Sequence, residues 1–187
     1  MSITTSIEKY KDNANVLLLK LLAHAQRQYM AWLFAGVSIF LFHQNYQLGY
    51  NRTESLPYKL FVIHKGEQVK VGDKVAFGWD GGGKYAWMSP FKPGSTMVKY
   101  VMGKPGDVIR TDQDGEVSLN GMPHAKTKDF TKTGKPLKKL VEPGDSKLIG
   151  EHQYYVGTPH PDGFDSRYEM VGLIDAGRFI GKVYAIF

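Results

Sequence analysis

The segment 96-TMVKYVMGKPGDVIRT-111 carries the pattern that decides the fold. Residues 96–102 and 107–111 are short and rich in Val, Ile, Thr and Tyr, which is typical of β-strands. Between them, Lys-Pro-Gly-Asp at residues 104–107 is a turn sequence, because proline presets φ and glycine tolerates positive φ. The segment therefore predicts two strands joined by a turn.

Similar strand-length segments occur throughout the chain after residue 50. They lie at residues 59–64, 74–77, 153–156 and 181–187. Glycine- and proline-containing turn signals separate them, at residues 65–66, 71–73, 81–83 and 142–145. Short strands at close spacing predict a mostly β domain, an antiparallel sheet, sandwich or barrel.

The N-terminal part of the chain is different in character. Residues 29–42, YMAWLFAGVSIFLF, contain no charged side chain, and no formal charge follows up to residue 46. Since a spanning helix needs about 20 largely apolar residues and about 17 is the lower limit, we expect a transmembrane helix over residues 29–46. The alternative is a buried core helix of a soluble protein.

The residues before this run suggest its orientation. Residues 16–25, VLLLKLLAHA, predict an amphipathic helix within a cytoplasmic or interfacial segment, residues 1–28. Cations preceding the apolar run predict a cytoplasmic N-terminus; they are Lys9, Lys11, Lys20 and Arg27. Residues 50–187 then form an extracytoplasmic domain, in which residues 112–150 are expected to be a variable inserted segment.

Composition excludes several chemistries. The chain has 187 residues, a net charge of +6 and no cysteine, so it has no thiolate nucleophile, disulfide or Cys-based metal site. None of its six histidines forms an i, i+4 pair on an evident helix, so neither a metal nor a cofactor is expected. The positive charge suggests an anionic partner, but no nucleic-acid-binding motif is present, and nucleic acid is not expected.

Residues 126–139 form the most basic segment of the chain. Six lysines are opposed there only by Asp129. Its polarity, with Gly134 and Pro136, predicts a solvated loop or hairpin. The alternative is a surface that contacts anionic lipid or an acidic substrate.

Three segments stand out when they are considered together. They are 51-NRTESLPYKLF-61, 98-VKYVMGKPGDV-108 and 157-GTPHPDGFDSRYEMVG-172. Their order and spacing behind an apolar run resemble the type I signal peptidase family of serine–lysine proteases. The resemblance is closest to the TraF-type peptidases that process pilins in plasmid conjugation, because Ser55-Leu56-Pro57 has the shorter Ser-x-Pro form.

The resemblance implies a catalytic dyad. Ser55 would be the nucleophile and Lys99, which precedes the Gly-x-Pro-Gly-Asp turn, the general base. Alternation places Lys99 on the same strand face as Met97 and Val101, where burial would lower the pKa of its ammonium from about 10.4. The alternatives are an edge-strand lysine that opposes aggregation and, for Ser55, a turn or helix-cap residue.

The resemblance also implies supporting residues. Asp165 and Arg167 of the Asp-Ser-Arg-Tyr motif, with Ser166 between them, would support the site through a salt bridge. The backbone N–H of Ser55 would donate to the oxyanion, with Thr53 as a further candidate.

Two positions depart from the family pattern. Arg52 stands where signal peptidases carry a hydroxyl for the oxyanion hole. Gly163 stands where a serine often contacts the catalytic lysine.

The predicted function is that of an endopeptidase at the bacterial inner membrane, with its catalytic domain on the periplasmic side. It would cleave a translocated precursor, a conjugative pilin or another signal-peptide-bearing protein, after small residues close to the membrane and through an acyl-enzyme, with cyclisation of the pilin as a further possibility in this branch. Its partners would be that precursor and, through the N-terminal helix, membrane lipid. The alternative is a catalytically silent assembly component of a conjugation or secretion system.

Overall fold

A computed structural model describes residues 3–53, 56–81, 83–88 and 91–186 of the chain. Two compact units make up the chain, Met1–Gln44 and Asn45–Phe187.

The first unit is helical. It contains α1 (Ile3–Arg27) and most of α2 (Tyr29–Asn45). His24 and Arg27 lie in the last turn of α1, where positive charge is favourable beside the unpaired carbonyls of a helix end. The described side chains of this unit are largely exposed, and α2 buries none of them.

The predicted transmembrane helix over residues 29–46 is not supported. Among the described residues, neither helix combines the length and the apolar character needed to cross a bilayer. The apolar helix ends at Asn45 after 17 residues, because Tyr46 adopts extended backbone and pairs with His64 in a sheet.

The second unit is built from β-strands. They are β1 (Tyr46–Tyr50), β2 (Leu60–Lys65), β3 (Lys74–Gly78), β4 (Thr96–Gly103), β5 (Val108–Thr111), β6 (Glu116–Leu119), β7 (Met122–Lys126), β8 (Ser146–Leu148), β9 (Gln153–Gly157), β10 (Ile174–Asp175) and β11 (Phe179–Ala185). In the part of the chain that the structure describes, two short 3-10 helices, Gly83–Met88 and Ala176–Arg178, interrupt the strands.

The strands form two sheets. In the described residues the larger sheet has the order β1-β2-β11-β3-β4-β9-β10, and the smaller one β7-β6-β5-β8. Every strand pair is antiparallel, which confirms the predicted mostly β, antiparallel class.

The six predicted strand segments all contain observed strands, with ends that shift by up to two residues. The sequence did not predict β1, β6, β7, β8 or β10. Residues 112–150, expected to be a variable insertion, supply β6, β7 and β8, which complete the smaller sheet on β5.

Strand β4 lies inside the larger sheet and is covered on both faces. On one face Met97 and Val101 pack into a cluster with Phe77, Trp79 and other apolar side chains. On the other face Val98 and Tyr100 pack against a second cluster that includes Phe61. The side chains of Met97, Lys99 and Val101 are all buried on the first face, so a charged side chain there lies away from bulk water.

Candidate active site

Lys99 is buried in the middle of β4. Its side chain is 3% exposed, and the burial alternates along the strand so that Met97, Lys99 and Val101 share one face, as predicted. Across the sheet, Lys99 is opposite Val75, which is fully buried. Among the described residues no carboxylate forms an ion pair with Lys99, so its ammonium would be desolvated without direct compensation.

This environment favours the neutral amine of Lys99 over its ammonium form. Burial lowers the pKa of Lys99 from 10.5 to about 8. The negative charge of Asp165 acts in the opposite direction, and the positive charge of Arg167 adds to the lowering of the pKa. With a pKa of about 8, roughly a tenth of the molecules carry a neutral amine at pH 7, and a neutral amine can accept a proton.

Asp165 and Arg167 form the ion pair that the family resemblance implies. Arg167 Nε donates to Asp165 Oδ1 at 2.8 Å, and Nη2 donates to Oδ2 at 2.9 Å. Both side chains are closed to solvent. The backbone N–H of Thr158 donates to the same carboxylate at 3.2 Å, so the charge of Asp165 is held by several donors.

Arg167 also forms hydrogen bonds with the surrounding backbone. Its guanidinium donates to the carbonyl oxygens of His160 and Gly163 in one loop and to that of Lys126 at the end of β7. One buried side chain therefore fixes the loop after β9 and the first residue of the basic segment. Ser166 has a local role, because its Oγ accepts from the N–H of Val156 at the end of the sheet.

The structure leaves no space for a side chain at Gly163. A Cβ at this position would meet Nη2 of Arg167, Oγ1 of Thr158 and Oδ2 of Asp165. The ion pair thus occupies the volume that a serine side chain would need. This explains the departure from the family pattern that the sequence contains at Gly163.

Ser55, the predicted nucleophile, lies outside the described residues, but the chain on both sides of it is described. Asn51 organises this loop: its Oδ1 accepts from the N–H of Thr53 at 2.9 Å, and its Nδ2 donates to the carbonyl oxygens of Leu56 and Tyr58. Leu56 is buried in the cluster with Phe61. Sequence reasoning missed Asn51, although Asn is a common residue for such side-chain-to-backbone turns.

Thr53 and Arg52 lie at the edge of the site. The Thr53 hydroxyl donates to Asn51 Oδ1 at 2.8 Å, so its proton is committed within the loop rather than to an oxyanion. Arg52 is exposed and lines a cavity beside Lys99. The suggested oxyanion role of Thr53 would require its hydroxyl to exchange this partner.

Two cavities meet at Lys99, Thr53 and Phe91. The aromatic cavity has a volume of about 450 Å³. Its apolar wall consists of Phe91, Phe130, Leu137, Phe164 and Tyr168. The second cavity, of about 600 Å³, extends from Lys99 toward β1 and includes Gly49, Tyr50 and Arg52. Because Lys99 lies where the two cavities meet, a substrate chain has room to extend on either side of a bond that reacts beside it.

The basic segment of residues 126–139 forms a hairpin at the aromatic cavity, as one of the two sequence interpretations predicts. Phe130 and Pro136 form an isolated bridge across it. Lys128 and Lys132 both pair with Asp162, whose pKa these hydrogen bonds lower to about 2. Two lysines of the segment, Lys128 and Lys132, therefore line the wall of the aromatic cavity, a placement that no local sequence signal indicates.

Metal ligation finds no support in the described part of the chain. No group of three or more His, Asp or Glu side chains is placed there to hold a metal ion.

A buried lysine with a lowered pKa beside open cavities is typical of an enzyme that uses lysine as a base. A family model described as "Signal peptidase, peptidase S26" matches residues 21–187. The chain therefore belongs to the signal peptidase family, peptidase S26, and is a serine peptidase, a hydrolase. The match is to the family as a whole and does not distinguish the TraF-type branch.

Among solved structures, a signal peptidase I from Enterococcus faecalis V583 is similar to this chain, with 19% sequence identity and a TM-score of 0.39. The similarity covers 62% of this chain and 97% of that chain. A comparison with curated protein sequences finds no match.

Proposed function

We propose that this chain is an endopeptidase in which Ser55 is the nucleophile and Lys99 the general base. The observation that carries the proposal is the state of Lys99, a buried lysine with a pKa of about 8 that opens onto two cavities. A lysine base needs no third residue to fix a tautomer, in contrast to histidine. Asp165 and Arg167 hold the surrounding loops in place, and their charges influence the pKa of Lys99.

In the proposed reaction the neutral amine of Lys99 removes the proton of the Ser55 hydroxyl while Oγ of Ser55 attacks the scissile carbonyl. The backbone N–H of Ser55 donates to the resulting oxyanion. The Lys99 ammonium then gives its proton to the leaving amine as the peptide bond breaks, which leaves an acyl-enzyme. Water, deprotonated by Lys99, releases the acyl group and restores Ser55.

The proposed substrate is a translocated precursor protein, a signal-peptide-bearing protein or a conjugative pilin. The pilin assignment is supported by the Ser55-Leu56-Pro57 form of the nucleophile motif. Processing of such a precursor implies a catalytic domain on the extracytoplasmic side of the bacterial inner membrane. If the amine of the pilin itself resolves the acyl-enzyme, the product is a ring that has lost the elements of water relative to the hydrolysed chain.

The test is to incubate the full chain with a library of internally quenched peptides and with a co-expressed pilin precursor. We expect Ser55→Ala and Lys99→Ala each to reduce cleavage by about 10³-fold or more, because nucleophile and base act as a unit. Mass spectrometry of the precursor product separates hydrolysis from ring closure.

Matched controls are Ser146→Ala and Lys104→Ala, which change exposed residues of the same types. Both should retain the activity of the parent chain. Undiminished processing by either dyad variant would show that the Ser55/Lys99 assignment is wrong. A folded parent chain that cleaves neither the peptides nor the precursor would favour the alternative, a silent assembly component.

A further inference from the structure

The second cavity, which extends from Lys99 toward β1, has charges of one sign. Arg52 and Lys92 line it together with Lys99, and no carboxylate of the described residues lies in its wall. The rest of the wall includes apolar side chains, among them Phe61 and Met97. A cleft with charges of one sign and walls of low polarity concentrates the electric field, so this cavity favours an anionic group.

Arg52 and Lys92 have no ion-pair partner in the described part of the chain. Both residues are exposed, and no described carboxylate lies within ion-pair distance of either side chain. Glu54, the acidic residue closest to Arg52 in sequence, lies outside the described residues. The guanidinium and the ammonium can therefore both donate charge-assisted hydrogen bonds to a carboxylate that enters the cavity.

The aromatic cavity differs in this respect. Its two lysines, Lys128 and Lys132, both pair with Asp162, so a carboxylate of the chain already compensates part of their charge. An anionic group of a substrate would have to compete with Asp162 for these lysines. At Arg52 and Lys92 it would meet no such competition from the described residues.

Two turns fix the backbone that carries the cations of the second cavity. Arg52 is the middle residue of a turn in which Asn51 Oδ1 accepts from the N–H of Thr53 at 2.9 Å. Lys92 begins a Lys-Pro-Gly-Ser turn, in which the N–H of Ser95 donates to the carbonyl of Lys92 at 3.1 Å. Proline and glycine are the residues that the two central positions of a type II turn prefer. The positions of both cations are therefore largely set before a ligand binds.

We propose that the second cavity is a subsite for an acidic side chain of the substrate, glutamate or aspartate, which Arg52 and Lys92 bind. The inference rests on the proposed function, because that function places the reacting bond at Lys99. The acidic residue lies beyond the small residue expected at the cleaved bond, since the cavity extends away from Lys99 toward β1. A substrate lysine is disfavoured at the same position, because it would face like charges.

The experiment uses the full chain and quenched, C-terminally amidated peptides in which the residue before the cleaved bond is always alanine. Each of the other positions in turn carries glutamate, glutamine or lysine. We expect one position at which glutamate raises kcat/KM about tenfold over glutamine at low ionic strength, with lysine the poorest. Salt at about 1 M, where the Debye length is about 3 Å, should reduce this preference to about twofold.

Arg52→Gln and Lys92→Gln should each reduce the ratio of kcat/KM between the glutamate and glutamine peptides, and the double variant should bring it close to one. The ratio is measured within each variant, so a general loss of activity caused by the loop before Ser55 cancels. Arg52→Lys should keep most of the ratio, because it retains the positive charge.

Lys104→Gln is the matched control. Lys104 is exposed and begins a turn of the same kind, in which the N–H of Asp107 donates to its carbonyl at 3.1 Å. This variant should keep the ratio of the parent chain. If no position prefers glutamate, if the double variant keeps the preference, or if Lys104→Gln lowers it equally, the inference is wrong.

A binding measurement separates this inference from the proposed function. If the parent chain cleaves no peptide, the proposed function fails, but the cavity can still be tested by NMR titration with the N-acetyl α-amides of glutamate and glutamine. The inference requires the glutamate amide to bind more tightly and the Arg52→Gln/Lys92→Gln variant to lose that difference. Equal affinity of the two amides for the parent chain would overturn it.

Discussion

The carboxylate of Asp165 and the guanidinium of Arg167 form a two-point ion pair that is closed to solvent on both sides. It lies close enough to Lys99 for both charges to act on the pKa of that lysine, in opposite directions. Because Arg167 also binds backbone carbonyls of the loop after β9 and of the basic hairpin, one pair influences both the charge and the shape of the site.

Asp165→Asn should change both the stability of the protein and the pKa of Lys99. Removing one partner of a buried pair leaves Arg167 uncompensated, and we expect the free energy of unfolding to fall by about 3–5 kcal/mol in urea denaturation. Because the charge of Asp165 raises the pKa of Lys99, the midpoint of the pH–activity profile should also move to lower pH.

The control for this variant is Asp114→Asn, the same change at an exposed carboxylate in the turn between β5 and β6. It should leave both the stability and the profile unchanged. A midpoint for Asp165→Asn that moves upward would contradict the electrostatic role assigned to the pair.

The pH dependence expected of the parent enzyme follows from the proposed role of Lys99 as general base. Only the neutral amine is a base, and the pKa of Lys99 is about 8. We therefore expect kcat/KM to rise about tenfold per pH unit below pH 8 and to level off above it. A stopped assay on one peptide between pH 5.5 and 10 measures this, and a profile that falls between pH 6 and 8 would exclude Lys99 as the base.

Lys99→Met should stabilise the protein while it abolishes activity. The folded-state pKa of Lys99 is lowered below its unfolded value of 10.5, so the unfolded chain binds more protons between about pH 8 and 10.5. The parent therefore gains stability as the pH rises through that window, and the methionine variant does not. At pH 7 the variant should be more stable by up to about 3 kcal/mol, and this difference should shrink by pH 10.

Urea denaturation at pH 7 and pH 10 provides the measurement. A methionine variant that is equally stable at pH 7, or a difference that does not depend on pH, would indicate that the folded structure accommodates the ammonium without cost.

Gly163→Ser introduces the residue common in the family and should nevertheless be harmful. Its Cβ would collide with the Asp165–Arg167 pair, so we expect a loss of about 1–3 kcal/mol in the free energy of unfolding and reduced kcat/KM. Gly78→Ser is the matched control, because a Cβ there meets nothing within 4 Å. Improved activity in Gly163→Ser would mean that the ion pair moves readily.

Local patterns account for the parts of the fold that were predicted correctly. Alternation in residues 96–102 and the Lys-Pro-Gly-Asp turn specify β4, the turn and the face on which Lys99 lies, because period and turn type depend on neighbouring residues alone. The same kind of reasoning predicted a transmembrane helix over residues 29–46, which the described helices do not support. An uncharged run predicts a span, but Tyr46 pairs with His64, a contact that the local sequence does not contain.

The amino-acid sequence by itself determined the order of the motifs and, through the alternation of β4, that Lys99 shares an apolar face. Only the tertiary structure decided how far burial lowers the pKa of Lys99, why residue 163 has no room for a side chain, and that Phe91, Phe130 and Phe164 meet in one cavity. The physical reason is the distance along the chain over which each interaction acts. Backbone period and turns are set within a few residues, whereas desolvation, steric exclusion and cavity shape depend on segments far apart in the chain that packing brings together.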